Sequence, residues 1–337
     1  MIRRWAMLLA ALALPALEGD AVAAEKLRIG VLKLASSGSV FIAAERGYFA
    51  AEGLDAELIF FDAAQPIAVG TVSGDIDIGV TGLTAGFYNL AGKGALRIIG
   101  AQSREEPGYH LVAYLVSNQA FAAGLTSLKD LPGHSVAISQ VGSTFHYSAG
   151  LIAEKLGFPL ASVTLVPLQS MSNMAAAVKG NQVDAGLIPA TIAVPLVARG
   201  EAHSLGWVGD ETPWQLGAIF ATQRTLAARR AAVASFIKAY RRGARDFYDA
   251  FLVKGVDGTR KEGPQAEALL AIIAKHTGQA AEQIRNGIPY VDPDARLLVD
   301  DIYRQVAWYQ GEGLVDKAVD AKTILDLSFT EAPGARH

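Results

Sequence analysis

The stretch Ile67-Ala68-Val69-Gly70-Thr71-Val72-Ser73-Gly74-Asp75-Ile76-Asp77-Ile78-Gly79 carries the reading of the fold. An alanine- and valine-rich helical segment stops at a glycine, the residue that most readily ends a helix. A strand opening on a β-branched residue and an aspartate follows. The same grammar returns about a hundred residues later. Met174-Ala175-Ala176-Ala177-Val178-Lys179-Gly180 leads into Val183-Asp184-Ala185-Gly186. Two copies of one helix–glycine–strand unit predict an α/β protein built as two similar lobes, since helices between strands imply largely parallel sheets.

Working outward, short apolar runs alternate with amphipathic ones from Lys26 to Val208. In the first half, strands are predicted at 27–32, 57–61, 76–80 and 97–101, with helices at 39–47, 65–73 and 83–91. In the second, strands fall at 135–139, 163–167, 183–188 and 204–208, with helices at 144–156, 171–179 and 190–198. Phe145, Ala149, Ile152 and Leu156 form one stripe of the helix at 144–156, with Gly157 beyond its end. Leu111 to Ser117 and Gly217 to Ala221 read as extended segments suited to carry the chain between lobes. This places residues 25–113 and 218–337 in a first lobe and 114–217 in a second. After Thr225 long helices are expected at 227–251, 265–277, 280–287 and 293–312, packing back on the first lobe.

The bulk composition narrows the class. Arg3 and Arg4 precede the apolar run Trp5 to Leu17, which is too short to span a bilayer, and the small residues Ala21-Val22-Ala23-Ala24 follow. Residues 1–24 therefore read as an export signal, cleaved near Ala24 and directing the chain to the periplasm. There is no cysteine, so a lipid anchor, a disulfide framework and a thiolate nucleophile are all excluded. The formal net charge of −3, with both signs interspersed, argues against nucleic acid as a partner. The chain is too long for one core, in keeping with two lobes.

Catalytic motifs are missing. Around Ser148 the sequence is His146-Tyr147-Ser148-Ala149-Gly150, without the first glycine of a nucleophile elbow and within a predicted helix. The histidines have no i, i+4 pairing that would suggest a metal site. No dinucleotide or phosphate-loop motif follows the first strand. No catalytic residue, metal ligand or cofactor is assigned.

Small polar loops instead stand at the carboxyl ends of predicted strands, where open α/β sheets bind ligands. They are Ser36-Ser37-Gly38-Ser39, Thr81-Gly82-Leu83-Thr84, Gln140-Val141-Gly142-Ser143-Thr144 and Pro189-Ala190-Thr191. Each precedes a helix, whose free amides and positive dipole end favour an anion. Ordinary helix capping explains any one of them equally well, but four, two from each half, point to a shared cleft. The candidate ligand-binding set is Ser37, Gly38, Thr81, Gly82, Leu83, Thr84, Gly142, Ser143, Thr144, Pro189, Ala190 and Thr191. Phe41, His146 and Trp214 join it as candidates with an alternative reading each: core for Phe41 and Trp214, capping or solvation for His146.

Four stretches, in order, resemble the nitrate/sulfonate/taurine-type substrate-binding proteins of ABC importers, a superfamily shared with thiamine-pyrimidine precursor receptors. The first is Ile42-Ala43-Ala44-Glu45-Arg46-Gly47-Tyr48-Phe49-Ala50-Ala51-Glu52-Gly53-Leu54-Asp55. The second is Gly74-Asp75-Ile76-Asp77-Ile78-Gly79. The third is Leu125 to Ala137 leading into Gly142-Ser143-Thr144, and the fourth is Gly180-Asn181-Gln182-Val183-Asp184-Ala185. The resemblance covers about Lys26 to Phe220 and fades in the last hundred residues. It implies two Rossmann-like lobes joined by a two-strand hinge, the type II periplasmic binding protein architecture, with a helical C-terminal tail. It implies delivery of a small molecule to a permease served by a cytoplasmic ATPase, and without a cysteine the chain is expected to act as a monomer not anchored to the membrane. The family pocket maps onto Ser37 to Phe41, Thr81 to Thr84, Gly142 to Thr144 and Pro189 to Thr191. Ile188 stands where an acidic or aromatic residue is usual, and Phe145-His146-Tyr147 is an unusually aromatic helix start. The ligand expected is a small organic anion, a sulfonate or carboxylate, with or without an aromatic part. It would rest on the amides of Gly142, Ser143 and Thr144 and the hydroxyls of Ser37, Thr81 and Thr84, with Phe41, His146, Tyr147 or Trp214 against its organic part. The alternatives are a neutral pyrimidine-like heterocycle, an exported enzyme of the same fold, and a solute sensor.

Overall fold

A computed structural model describes residues 23–330. The export-signal reading lies outside these residues, apart from its last two positions. Among the described residues there are ten strands: β1 (Glu25–Leu32), β2 (Leu54–Phe61), β3 (Ile78–Gly82), β4 (Leu96–Ala101), β5 (Val112–Val116), β6 (Ser135–Ile138), β7 (Thr164–Pro167), β8 (Ala185–Pro189), β9 (His203–Trp207) and β10 (Gly217–Thr222). They form two five-stranded sheets of identical plan, β2-β1-β3-β10-β4 and β7-β6-β8-β5-β9. In each sheet one strand runs antiparallel, and it is the strand that has just crossed from the other lobe. The extended segments read from the sequence as crossings are thus strands, each completing the sheet it enters. β5 belongs wholly to the second sheet although the sequence reading ended the first lobe at residue 113.

The repeated aspartate has one structural job, performed twice. In the first sheet Ile29 lies beside Ile78 and Gly30 beside Gly79; in the second, Val136 lies beside Ala185 and Ala137 beside Gly186. One position earlier in each register, Asp77 Oδ2 accepts from the Arg28 amide at 2.8 Å, and Asp184 Oδ2 from the Ser135 amide at 2.8 Å. Both pairs are 49 residues apart in the chain. The carboxylate satisfies a strand amide where the parallel ladder begins, a group that would otherwise stay unpaired. Burial, which would raise the Asp184 carboxyl, is outweighed by the Ser135 amide and hydroxyl and by His134, and its pKa is lowered.

The predicted helices at 144–156, 171–179 and 190–198 form with those bounds. The helix Arg230–Phe251 packs on the helix Gly38–Glu45. Their backbones touch at Gly243, where a Cβ would lie 2.3 Å from the Ser39 carbonyl oxygen. The tail departs from expectation in three places. The helix expected at 227–251 is two, Gln223–Ala228 and Arg230–Phe251, broken at Arg229, whose backbone (φ −129°, ψ 34°) is not helical. The helix expected from Pro293 begins at Val299. Asp292 Oδ1 accepts from the amides of Asp294 (2.9 Å) and Arg296 (3.1 Å), which holds the chain in a turn instead. Finally, the tail does not serve the first lobe alone. Helix Val299–Gly311 reaches the second, with Tyr309 Oη donating to the Ser143 carbonyl at 3.0 Å and Arg304 Nε to Tyr147 Oη at 3.2 Å. The Trp308 ring lies over Gly150, where a Cβ would come within 2.0 Å of it.

Candidate functional site

A cavity with about 860 Å³ of empty space, its open mouth included, lies between the carboxyl ends of the two sheets. Leu32 at the end of β1, Ala64 at the start of the helix after β2 and Gly82 at the end of β3 wall one side. Ser139 after β6, Pro189 at the end of β8 and Leu111 before β5 wall the other. The lobes touch at its edge. The Ala85 amide donates to the Gly142 carbonyl at 2.9 Å, and Cβ atoms built on Gly142 and Gly82 would fall 2.8 Å from Ala85 Cβ and Thr144 Cγ2 respectively.

Of the residues expected in the site, Gly82, Thr84, Ser143, Thr144, Pro189, Ala190 and Thr191 line this cavity. The others lie elsewhere. Ser37 and Thr81 are buried with hydroxyls that have no partner among the described residues. Gly38 is pressed against Phe247 and Ile273, and Leu83 is core. Phe41 is fully buried and stacks on His276, with ring centroids 4.7 Å apart. Trp214 is fully buried against Tyr147, which is itself buried, at 4.8 Å. Its backbone pairs with Glu105 at the chain crossing, so it covers core instead of facing the cleft. These aromatics follow the rule that large apolar rings at helix and strand positions are buried first by packing.

His146 serves its own loop. Its Nδ1 accepts from the Gly142 amide at 3.0 Å, which leaves the proton of the neutral ring on Nε2. Burial lowers its pKa, keeping it neutral and able to accept. The Ser143 amide is also taken, by the Gln140 carbonyl at 3.1 Å. Two of the three amides expected to hold an anion are therefore engaged within the loop.

The cavity also contains Ser36 and Gln140, which begin two of the loops named from the sequence but are not in the candidate set, and residues outside those loops, among them Asp62, Gln65, Gln102, Phe145, Gln169 and Met171. Gln65 Oε1 accepts from the Thr84 hydroxyl, and Gln102 Nε2 donates to the Ser36 carbonyl at 3.0 Å. No lysine, arginine or histidine is among the lining residues, and the exposed Asp62 is the one formal charge. The signal for this set was present but weak: each glutamine lies at or just beyond a strand, or at the start of a helix, but an isolated glutamine has no motif.

Two twinned mixed sheets that exchange one strand each, with a cavity at their facing carboxyl ends, define the type II periplasmic binding protein fold. The chain belongs to the family described as NMT1/THI5 like, whose model matches residues 35–250. No curated protein sequence matches it. Among solved structures it is similar to the alkanesulfonate-binding protein SsuA from Xanthomonas axonopodis pv. citri bound to MOPS, at 19% identity and TM-score 0.71, covering 90% of this chain and 98% of that one. It is similar to the periplasmic nitrate-binding protein NrtA from Synechocystis PCC 6803, at 14% identity and TM-score 0.67, covering 89% and 84%. It is also similar to the desulfurization enzyme DSZB, at 14% identity and TM-score 0.60, covering 90% and 97%. The fold therefore hosts binders and at least one enzyme. Among the described residues no helix is long and apolar enough to cross a membrane.

Proposed function

We propose that this protein is the periplasmic solute-binding component of an ABC importer. It captures one small organic molecule between its lobes and hands it, as an untethered monomer, to a membrane permease driven by a cytoplasmic ATPase. The observation that carries this reading is the cavity itself, walled by both lobes at the carboxyl ends of both sheets. A ligand there touches both walls only when the lobes are together, so binding and closure are coupled. A non-catalytic role agrees with the absence of cysteine from the sequence and with the placement of Ser148 and His146 in a buried helix face and a capping bond. DSZB supports the enzyme alternative only through its fold.

The expected ligand was an organic anion held on loop amides and hydroxyls. Of those groups, Thr84 and Thr144 line the cavity, while Ser37 and Thr81 do not, and the Gly142 and Ser143 amides have partners. The second reading, a neutral heterocycle, is the one a lining without cations favours, because an anion taken out of water there meets no opposite charge to offset its lost hydration. Calorimetric titration of the chain from Glu25 onward with small organic compounds tests the capture function. Binding of one compound at 1:1 with lobe closure in solution scattering is expected. Turnover of the bound compound, or no ligand on protein purified from its native periplasm, would defeat it.

A further inference from the structure

We infer that the cavity reads an uncharged ligand edge carrying a hydrogen-bond donor beside an acceptor, as in a lactam, ureide or primary amide, and that Gln65, Gln140 and Gln169 are its reading residues. This rests on the capture function proposed above and specifies what is captured. A glutamine amide offers one acceptor and two donors in a plane, the complement of such an edge. Gln65 comes from the first lobe and Gln140 and Gln169 from the second, so both walls contribute. Among the described residues the side-chain amides of Gln140 and Gln169 have no hydrogen-bond partner, and the Gln65 side chain uses only its oxygen, for Thr84.

Gln169 adds an independent observation. Its backbone sits at φ 69°, in the left-handed region that glycine adopts without strain and other residues avoid. The neighbours impose this turn: the Gln169 amide donates to the Ser139 carbonyl at 2.8 Å, and the next residue, Ser170, caps the following helix by accepting from the Asn173 amide at 3.1 Å. Glycine would relieve the strain, yet an exposed glutamine that lines the cavity stands there, its side chain without a partner among the described residues. Strain kept where a side chain has no structural partner points to use by a ligand.

Anions are disfavoured from three sides. No cation lines the cavity, its one charged lining residue is the acidic Asp62, and two helix-start amides are engaged: Ala85 with the Gly142 carbonyl and Ala190 with the Leu111 carbonyl, each at 2.9 Å.

Matched pairs test this: uracil against orotate, nicotinamide against nicotinate, and benzamide against benzenesulfonate, each by calorimetry. At least one neutral member should bind, more than tenfold tighter than its anionic partner. Gln169→Gly should weaken that binding by about tenfold, the loss of roughly one hydrogen-bonding group, without lowering the melting temperature of the unliganded protein. Gln140→Leu should weaken it similarly. Neutral binding unchanged in Gln169→Gly, or a fall in melting temperature with unchanged affinity, overturns the assignment. Binding of the anionic members alone overturns this inference and leaves capture standing. Where none of the six binds, native mass spectrometry of the purified protein decides: a neutral amide-bearing compound upholds the inference, an anion overturns it, and an empty protein overturns it together with the capture function.

Discussion

Gly142 meets the first lobe at the edge of the cavity, and Gly142→Ala separates two effects that are usually confounded. Its φ of 77° is strained for alanine, by about 1–2 kcal/mol. That cost is present whether the lobes are open or closed, so it appears as lost folding stability. The new Cβ would also stand 2.8 Å from Ala85 Cβ across the lobe boundary. Carbon atoms pack at about 3.5–4.0 Å, so closure must stop roughly 1 Å short. The 2.9 Å bond from the Ala85 amide to the Gly142 carbonyl then lengthens or breaks, a loss of about 0.5–1.5 kcal/mol that falls on the closed state alone. Affinity for the tightest-binding compound should therefore drop up to about tenfold in calorimetry, and urea unfolding should show the separate stability loss. Adding Ala85→Gly removes the clash and should restore affinity without restoring stability. Unchanged affinity in Gly142→Ala, or failure of Ala85→Gly to rescue it, would refute the view that closure brings these two loops into contact.

Other perturbations follow the same geometry. His146 has its pKa lowered by burial, so between that value and the unfolded value near 6.5 the unfolded chain binds the extra proton and stability falls as pH falls; His146→Gln should flatten the urea-stability curve over that window, and an unchanged curve would count against the neutral Nδ1 acceptor. Glu105 is fully buried at the chain crossing, where burial pushes its carboxyl well up; its oxygens lack partners of good geometry, the nearest donors being the amides of Gly209 and Val112. A raised folded pKa gives stability that is present in acid and lost as pH rises, so Glu105→Gln should gain on the native protein as pH rises above the unfolded carboxyl value of about 4.3 in thermal melts. Trp308→Ala removes the ring that covers Gly150 and meets Tyr147 at 5.2 Å, and should cost about 2 kcal/mol in urea unfolding, less than a fully buried tryptophan because Trp308 is half-buried. Asp184→Ala leaves the Ser135 amide unpaired and should cost about 1–3 kcal/mol, with Asp184→Asn recovering part.

Much of the fold was legible because it depends on local patterns. The echo of Asp77 and Asp184 marked equivalent positions in two sheets, and the register shows why: each carboxylate caps the amide at the start of its parallel ladder. Helix ends were readable where a glycine or a serine cap decides them, as at Ser143 and Gly157. The tail was misread where a side chain two or four residues away redirects the backbone, as Asp292 does.

The candidate site divides along the same line. Chain order and strand–helix alternation were enough to place the loops at 81–84, 140–144 and 189–191 at the facing ends of two sheets, because strand direction determines which end each loop leaves from. Which side chains face inward depends on close contacts between segments far apart in sequence. Phe41 is drawn to His276 and Trp214 to Tyr147, so neither reaches the cleft. The Gly142 amide is claimed by a histidine four residues on, and the glutamines enter the cavity without any motif to announce them. Periodicity and caps are local and are written in the chain; the burial of a ring or the freedom of an amide is settled only by competition among all the groups that folding brings within reach.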